Sequence, residues 1–170
     1  MTKPRFTRPF TQQEPIPASG IEAAVKVMQS GRLHRYNTMD DEIAEVALLE
    51  EEFATFTGAK YCLAVTSGGY AMGAALRALE VQPGETVLSN GFTLAPVPGA
   101  IAAVGAIPVF VETTQGLTID LADLEVKIAQ SGARVLLLSH MRGHMCDMDR
   151  LMEICSRDGV QVIEDCAHTV

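Results

Sequence analysis

The 170-residue sequence contains no tryptophan, and aromatic residues make up only 5% of it. A core must therefore be built from Val, Leu, Ile, Ala and Met, which contribute most of the 48% of hydrophobic residues. Charged residues amount to only 20%, a composition typical of globular domains that excludes an intrinsically disordered chain. The formal net charge of -8 argues against nucleic-acid or anionic-membrane partners, because those partners bind clustered positive charge.

Metal-ligand and redox motifs are also missing. The four cysteines form no CxxC pair, and the four histidines form no HExxH motif or other ligand spacing. We therefore expect no metal site, and we expect the cysteines to be reduced thiols of a cytoplasmic protein. The N-terminus lacks the apolar run of a signal peptide, and Gly and Pro interrupt the longest apolar stretches well short of a membrane span. The cysteines are Cys62, Cys146, Cys155 and Cys166.

The chain is predicted to contain two parts, residues 1–38 and residues 39–170. The first part comprises an N-terminal arm rich in Pro, Thr and Gln, a helix that ends at Gly31, and a polar loop over residues 32–37. The second part begins with a long helix that ends at Gly58, because glycine is the usual residue just past a helix end.

From residue 61 onward, short apolar runs rich in strand formers alternate with helical patterns. The predicted strands are YCLAVTS (61–67), TVLSN (86–90), AIPVFVE (106–112), ARVLLLSH (133–140) and VQVIED (160–165). Continuous apolar strands joined by helices are typical of parallel sheets that are covered on both faces. The predicted fold is therefore α/β, a mainly parallel sheet with helices on both faces, in which ARVLLLSH is a central strand. Asp120 is expected to cap the helix before that strand.

The residues that end the strands matter most for function, because ligands of such sheets gather at the carboxyl ends of the strands. The first run ends in Ser67-Gly68-Gly69 and leads directly into a helix. The start of a helix offers unpaired N–H groups and a partial positive charge. This pattern indicates a phosphate site or, alternatively, a tight turn that needs glycine for steric reasons alone.

Asp165 ends the last apolar run, where a carboxylate is costly to bury without a cationic or proton-donating partner. A protonated pyridine nitrogen is such a partner, and a pyridoxal-phosphate enzyme needs an acid beside it. An N-cap or a salt bridge would explain Asp165 equally well. His140 and His168 also follow strands, and each has either a role in a site or a structural role.

Five strings of this sequence, in this order, resemble the DegT/StrS-type sugar aminotransferases, a branch of the fold-type I pyridoxal-phosphate enzymes. The strings are GIEAAVKVMQSGRL, LEEEFATFTGAKYCLAVTSGGYAMGAALRAL, GAIPVFVE, GHMCDMDRLMEIC and VIEDCAHT, and together they extend over nearly the whole chain. The resemblance implies that residues 39–170 are part of the large domain of such a transferase, with pyridoxal 5'-phosphate as the cofactor.

The resemblance also implies roles for individual positions. Cofactor-binding residues would be Ser67, Gly68, Gly69, Thr93, Leu94, Asp165 and His168. Substrate-binding residues would be His140 and, by reaching the pocket of a partner subunit, Arg35 and Tyr36. A solvent-exposed loop without such a role is an equally open alternative for Arg35 and Tyr36. Asp165 would pair with the pyridine nitrogen. Thr93 and Leu94 match a Thr-aromatic pair whose aromatic member stacks on the ring, and Asp147 matches a helix start.

The sequence departs from the family pattern at three points. Gly69 replaces a common threonine, so one side-chain contact to the phosphate is missing. Leu94 replaces the aromatic residue that stacks on the ring. The lysine that carries the cofactor in the family is expected beyond Val170. The catalytic set therefore includes no residue of this chain, and the chain alone is expected to be an inactive fragment.

As an intact protein, the chain is expected to transfer an amino group from a donor such as glutamate or glutamine to a keto-sugar, either nucleotide-linked or a keto-sugar acid. The resemblance also implies a homodimer, and neither nucleic acid nor membrane is expected as a partner. Two alternatives stay open. One is a lysine-free binding or structural subunit related to the family, and the other is a family dehydratase with histidine in place of the lysine.

Overall fold

A computed structural model describes Thr7, residues 13–39 and residues 41–169. The chain forms two compact units, which meet in sequence between Ala64 and Val65. The boundary predicted after residue 38 falls within the first of these units. The long second helix therefore belongs to the first unit, where Glu50 on that helix holds both the Arg35 side chain and the backbone N–H of Ala64.

The first unit contains two helices, α1 (Ala18–Ser30) and α2 (Glu45–Thr57). Each helix ends at a glycine in the left-handed conformation, with φ 69° at Gly31 and φ 71° at Gly58. Both ends agree with the sequence prediction, because glycine adopts this conformation without steric cost. Neither helix buries a side chain.

The strand predicted over residues 61–67 is wrong. The segment is non-helical and belongs to no β-ladder, and the side chains of Tyr61 and Leu63 are 79% and 65% exposed. A strand forms only when a neighbouring strand satisfies its backbone N–H and C=O groups. No described segment pairs with residues 61–67, so the apolar run alone does not make a strand.

The second unit is an α/β sandwich, and the four other predicted strands form within two residues of the predicted ends. Its elements are α3 (Gly68–Ala78), β1 (Thr86–Asn90), α4 (Pro96–Ala103), β2 (Ile107–Val111), α5 (Leu121–Ser131), β3 (Val135–Ser139), a short 3-10 turn (Met141–Gly143), α6 (Met148–Arg157) and β4 (Gln161–Asp165). The strands are all parallel, in the order β2-β1-β3-β4. Every residue of β3 is buried, which confirms its predicted central place.

Helices cover both faces of the sheet, as predicted. On one face, α3 and α4 pack through side chains such as Leu76 and Ile101 against Val135 and Leu137 of β3. On the other face, α5 and α6 pack against Leu136 and Leu138, which alternate with them along the same strand. The side-chain alternation of β3 therefore divides the core into two layers.

Two aspartates cap the starts of α5 and α6, the helices that pack against Leu136 and Leu138. Asp120 accepts hydrogen bonds from the backbone N–H groups of Ala122 and Asp123 at 2.9 and 3.3 Å. Asp147 accepts one from Arg150 N at 3.0 Å. Both caps agree with the sequence prediction, and each contributes about 1 kcal/mol of stability.

The direction of α3 is set at its C-terminal end. Arg134, directly before β3, donates to the carbonyl oxygens of Leu79 and Glu80 at 2.8 and 2.9 Å. This end of α3 therefore lies at the amino edge of the sheet. An 11-residue helix and a five-residue strand are both about 16 Å long. The start of α3 consequently lies at the carboxyl edge.

Candidate active site

The chain reverses its winding direction between β1 and β3, and the space outside the carboxyl ends of these strands is called the crevice below. The connection from β1 leads outward to β2, whereas the connection from β3 leads outward to β4 on the other side. The two central strands pair only at Leu88↔Leu136 and Ser89↔Leu137. Such a reversal is the usual ligand site of open α/β sheets.

Asn90 bridges the two strands where their direct pairing ends. Its amide accepts from Ser139 N at 2.8 Å and donates to the carbonyl oxygens of Ser139 and Phe92 at 3.1 and 2.9 Å. The residue is 2% exposed. The bridge therefore fixes the floor of the crevice. The sequence analysis assigned no role to Asn90, although a polar residue that ends an apolar strand is a usable signal.

The start of α3 forms one wall of the crevice. Ser67 is the N-cap, and its hydroxyl accepts from Tyr70 N at 3.1 Å. A Cβ added to Gly68 would meet nothing within 4 Å, and one added to Gly69 would only reach Pro96 Cβ and Ser67 Oγ at 4.0 Å. Glycine is thus not required here by close packing inside the protein. Both glycines instead leave the first N–H groups of the helix uncovered.

The loop that follows β1 contributes a hydroxyl and an apolar side chain. Thr93 Oγ1 is buried and has no hydrogen-bond partner among the described residues. Leaving such a group unpaired costs about 1–3 kcal/mol, so its place calls for a partner. Leu94 is 49% exposed and lies just before α4.

Asp165 ends β4 on the face of the sheet that α3 and α4 cover. Its Oδ2 accepts from Ser139 Oγ at 3.1 Å, and its Oδ1 accepts from Ala167 N at 3.3 Å. Ile163, two residues earlier and therefore on the same face, packs against the α3–α4 side of the core. No described cation forms an ion pair with Asp165, so the carboxylate keeps lone pairs for a further donor.

His168 lies in the turn after β4. Its Nδ1 accepts a hydrogen bond from Arg142 N at 3.1 Å, and the residue is exposed. Because Nδ1 is used as an acceptor, the ring proton of the neutral imidazole lies on Nε2. His168 therefore presents Nε2–H as a donor.

His140 is not brought to the same face as Asp165. It is 2% exposed, and its Nε2 lies 2.8 Å from Glu164 Oε2. Glu164 is paired with Leu138, which belongs to the core layer of α5 and α6. The buried His140 thus pairs with an exposed glutamate on the far side of the sheet, and its predicted contact with a substrate stays a prediction.

Arg35 and Tyr36 lie in the first unit. Arg35 makes a bidentate ion pair with Glu50, with N–O distances of 3.1 and 2.7 Å. This guanidinium, together with the N–H of Ala64, lowers the pKa of the Glu50 carboxyl. Tyr36 is 81% exposed and stacks on His34 with ring centroids 5.3 Å apart. Their predicted contacts with a substrate are likewise untested predictions.

The four cysteines are free thiols, as expected, but they differ in accessibility. Burial raises the pKa of the Cys146 and Cys155 thiols, and nearby acids raise it further. Cys155 is completely buried, whereas Cys166 is exposed. The interior thiols are therefore structural.

Comparison with known proteins identifies the family. The sequence matches the model of the DegT/DnrJ/EryC1/StrS aminotransferase family over residues 16–170. The chain belongs to the DegT/DnrJ/EryC1/StrS aminotransferase family. This confirms the resemblance found in the sequence.

Among relatives in this family, the spore coat polysaccharide biosynthesis protein SpsC of Bacillus subtilis is 35% identical over 88% of this chain and 37% of its own length. The UDP-2-acetamido-2-deoxy-3-oxo-D-glucuronate aminotransferase of Pseudomonas aeruginosa is 35% identical over 74% of this chain and 35% of its own. The chain thus spans less than two-fifths of the length of these relatives.

Solved structures of similar proteins show the same fold. DesV of S. venezuelae is 34% identical, with a TM-score of 0.79 over 89% of this chain and 39% of its own. The 3-amino-5-hydroxybenzoic acid synthase is 29% identical, with a TM-score of 0.84 over 95% of this chain and 41% of its own. The second unit is therefore part of the fold of a fold-type I pyridoxal-phosphate transferase.

The DegT/StrS family implies pyridoxal phosphate, and the residues of the crevice fit that group. An anionic phosphate suits the uncovered helix start at Gly68 and Gly69. The Thr93 hydroxyl, which has no partner in the described part of the chain, can donate a hydrogen bond, and Asp165 is an acceptor suited to a protonated ring nitrogen. Among the described residues, no helix has both the length and the apolar character needed to span a bilayer.

Proposed function

We propose that this chain forms the cofactor-binding part of a pyridoxal-phosphate-dependent aminotransferase that aminates a keto-sugar. The observation that carries the proposal is the shared position of two groups. The uncovered start of α3 and the carboxylate of Asp165 both lie at the carboxyl edge, on the face of the sheet that α3 and α4 cover. One group suits an anion and the other suits a cationic nitrogen.

At the α3 end of the crevice, the N–H groups of Gly68 and Gly69 donate to the phosphate, and the helix dipole favours its negative charge. The Ser67 hydroxyl caps the helix and adds a donor toward the same oxygens. Gly69 has no side chain and therefore makes no side-chain contact with the phosphate. The backbone therefore carries most of this binding.

At the β4 end, Asp165 holds the proton on the pyridine nitrogen, since a carboxylate stabilises the charged ring. Ser139 and the N–H of Ala167 orient this carboxylate by donating to one oxygen each. When bound, pyridoxal phosphate supplies the electron sink for moving an amino group. His168 would offer its Nε2–H as a hydrogen-bond donor beside the bound ring.

Thr93 and Leu94 complete the proposed site. The Thr93 hydroxyl donates to the cofactor, which would satisfy the partner that this buried oxygen lacks. The exposed half of Leu94 offers an aliphatic surface to one ring face, in place of aromatic stacking.

The substrate class follows from the relatives. One is a UDP-2-acetamido-2-deoxy-3-oxo-D-glucuronate aminotransferase, and another is a dTDP-3-amino-3,6-dideoxy-alpha-D-galactopyranose transaminase. These names support a keto-sugar acceptor, with an amino acid such as glutamate or glutamine as donor. Arg35, Tyr36 and His140 stay proposed substrate contacts. A homodimer and a cytoplasmic location are proposed on the same family basis, and the free cysteines agree with a reducing compartment.

Binding of pyridoxamine phosphate tests the cofactor site directly. This probe keeps the phosphate and the pyridine nitrogen but cannot condense with surface lysines, so its binding reports the crevice alone. We expect saturable binding by calorimetry, weakened about 10- to 100-fold in Asp165→Asn. The reason is that a hydrogen bond to a charged group contributes about 1.5–3 kcal/mol.

Asp149→Asn is the matched control, because Asp149 is an exposed aspartate on α6, whose buried side chains pack on the opposite face. It removes the same charge and should leave the affinity unchanged. Equal affinities of wild type and Asp165→Asn would refute the proposed site.

A further inference from the structure

The far face of the same two strand ends carries a second cluster of reactive side chains. His140, Glu164 and Cys166 each offer one ligand atom, and these three atoms all lie within 4.8 Å of one another. No side chain of the three takes part in the contacts proposed for Asp165. A metal ion on His140 would take the place of the substrate contact proposed for that residue. The cluster combines a nitrogen, an oxygen and a sulfur donor.

The parallel register of β3 and β4 creates this cluster. Leu138 is paired with Glu164, and Ser139 is paired with Asp165. The pairing continues one step further, since His140 N donates to Asp165 O at 3.1 Å. Residues 164 and 166 are two apart and therefore share a face. The ligand set thus comes from two segments 24 residues apart, which explains why no local spacing revealed it.

The most buried member of the cluster is already aimed at the other two. His140 is 2% exposed, and its Nε2 lies 2.8 Å from Glu164 Oε2. A buried imidazole has few rotamers available, so its nitrogen is held in place before any ligand arrives. Glu164 and Cys166 are exposed, so each can rotate toward an incoming ion, and solvent reaches the site.

We propose that His140, Glu164 and Cys166 form a zinc-binding site with a fourth position open to water. Imidazole and thiolate are ligands that Zn²⁺ prefers, whereas Mg²⁺ and Ca²⁺ take oxygen ligands. On binding, Cys166 releases its thiol proton to solvent, and the neutral imidazole of His140 carries its proton on Nδ1, so that the Nε2 lone pair faces the metal. The metal is not oxidised or reduced.

The required rearrangement is small. Zn–N, Zn–O and Zn–S bonds of about 2.0–2.3 Å place tetrahedral ligand atoms roughly 3.4–3.7 Å apart. The His140–Glu164 contact must therefore open by less than 1 Å, and the widest separation of 4.8 Å must close by about 1 Å. Rotation of two exposed side chains supplies both changes. The metal would then brace the end of β4, directly beside Asp165.

Cobalt absorption provides the test, because Co²⁺ replaces Zn²⁺ and a cysteine ligand gives a thiolate-to-cobalt charge-transfer band. We expect the full chain to develop this band with one equivalent of Co²⁺ and to lose it when Zn²⁺ is added. The band should disappear in Cys166→Ser and persist in Cys62→Ser, which removes a thiol of the first unit. Absence of the band in wild type, or its persistence in Cys166→Ser, would overturn the site.

Alkylation gives a second readout that does not depend on colour. Zn²⁺ should slow the reaction of Cys166 with iodoacetamide, followed by peptide mass spectrometry. In Glu164→Gln, the zinc affinity measured by this protection should fall by about 100-fold or more, because the loss of an outer-shell partner alone costs about 10- to 100-fold. Glu164 is exposed, so this variant tests the ligand without a cavity in the core. Unchanged protection in Glu164→Gln would contradict the assignment.

The two faces can be separated experimentally. Asp165→Asn should keep the cobalt band, and Cys166→Ser should keep the affinity for pyridoxamine phosphate. Failure of the zinc site would thus leave the proposed cofactor site intact, and failure of the cofactor site would leave the zinc site intact.

Discussion

At the ends of β3 and β4, the two faces of the sheet carry different polar side chains. On one face, which α3 and α4 cover, Ser139 and Asp165 form a hydrogen bond, and the start of α3 is uncovered. On the other face, His140 and Glu164 pair with each other, and the imidazole is almost completely buried. Residues that follow one another in the chain thus serve opposite sides. The difference shows that a polar strand end gains its role from the face it occupies.

The helices that start at this edge differ in the same way. Ser67 caps α3 with a hydroxyl, and two glycines leave the next N–H groups open. Asp147 caps α6 with a carboxylate, which supplies its own negative charge to the helix start. An anionic ligand is therefore favoured at α3 and disfavoured at α6.

The largest effects should come from the core layers under the two faces. Leu76→Ala removes a fully buried side chain on the α3–α4 face, and Leu151→Ala removes one on the α5–α6 face. Each should lower the free energy of unfolding by about 2–5 kcal/mol, because each leaves a cavity. Urea unfolding measures both. A negligible loss in either variant would show that the helices of that face do not pack as described.

Asn90→Ala should have the next largest effect, since it removes the bridge between β1 and β3. The backbone groups of Ser139 would lose their partner in a buried place, at a cost of about 1–3 kcal/mol. Asn37→Ala, in an exposed loop, is the control and should change stability by less than about 0.5 kcal/mol. Urea unfolding measures the stability of both variants. Equal losses of stability would show that Asn90 does not bridge β1 and β3 as described.

The two helix caps sharpen the comparison of the faces. Ser67→Ala and Asp147→Ala should each cost about 1 kcal/mol of stability in urea unfolding. Only Ser67→Ala should also weaken binding of pyridoxamine phosphate, because only α3 starts on the cofactor face. A loss of affinity in Asp147→Ala would contradict this division.

The smallest effect concerns the ion pair that anchors α3. The N–H of Gln82 and the Arg134 guanidinium hold the pKa of Glu85 below its ordinary value of 4.5. The stabilisation is therefore fully present above that value and is lost as the pH falls through the lowered folded pKa. Glu85→Gln should lower the urea midpoint slightly near neutral pH, and the difference from wild type should vanish in acid. Glu51→Gln, on exposed α2, should show no such difference.

The sequence predicted the sheet well, for reasons visible in single residues. β3 was predicted as central because VLLLS is apolar on both faces, and every one of its residues is buried. The caps at Asp120 and Asp147 follow from local geometry alone. Residues 61–67 have the same apolar character but no neighbouring strand, and pairing is a long-range property that composition does not encode.

The site was predictable only in part. Ser67 and Asp165 could be found as strand ends, because both lie where a parallel sheet places its ligands. The role of Asn90 depends on the divergence of β1 and β3, and the place of His140 depends on the register of β3 and β4. Register is set by the packing of distant segments, so neither could be derived from local spacing.

Amide shifts measured by nuclear magnetic resonance test the central claim most directly. Titration with pyridoxamine phosphate should shift the amides of Gly68, Gly69 and Asp165 together, with one dissociation constant for all three. Inorganic phosphate should shift only the two glycines. Glycine shifts that leave the Asp165 amide unmoved at saturation would contradict the claim that one ligand spans both ends of the crevice.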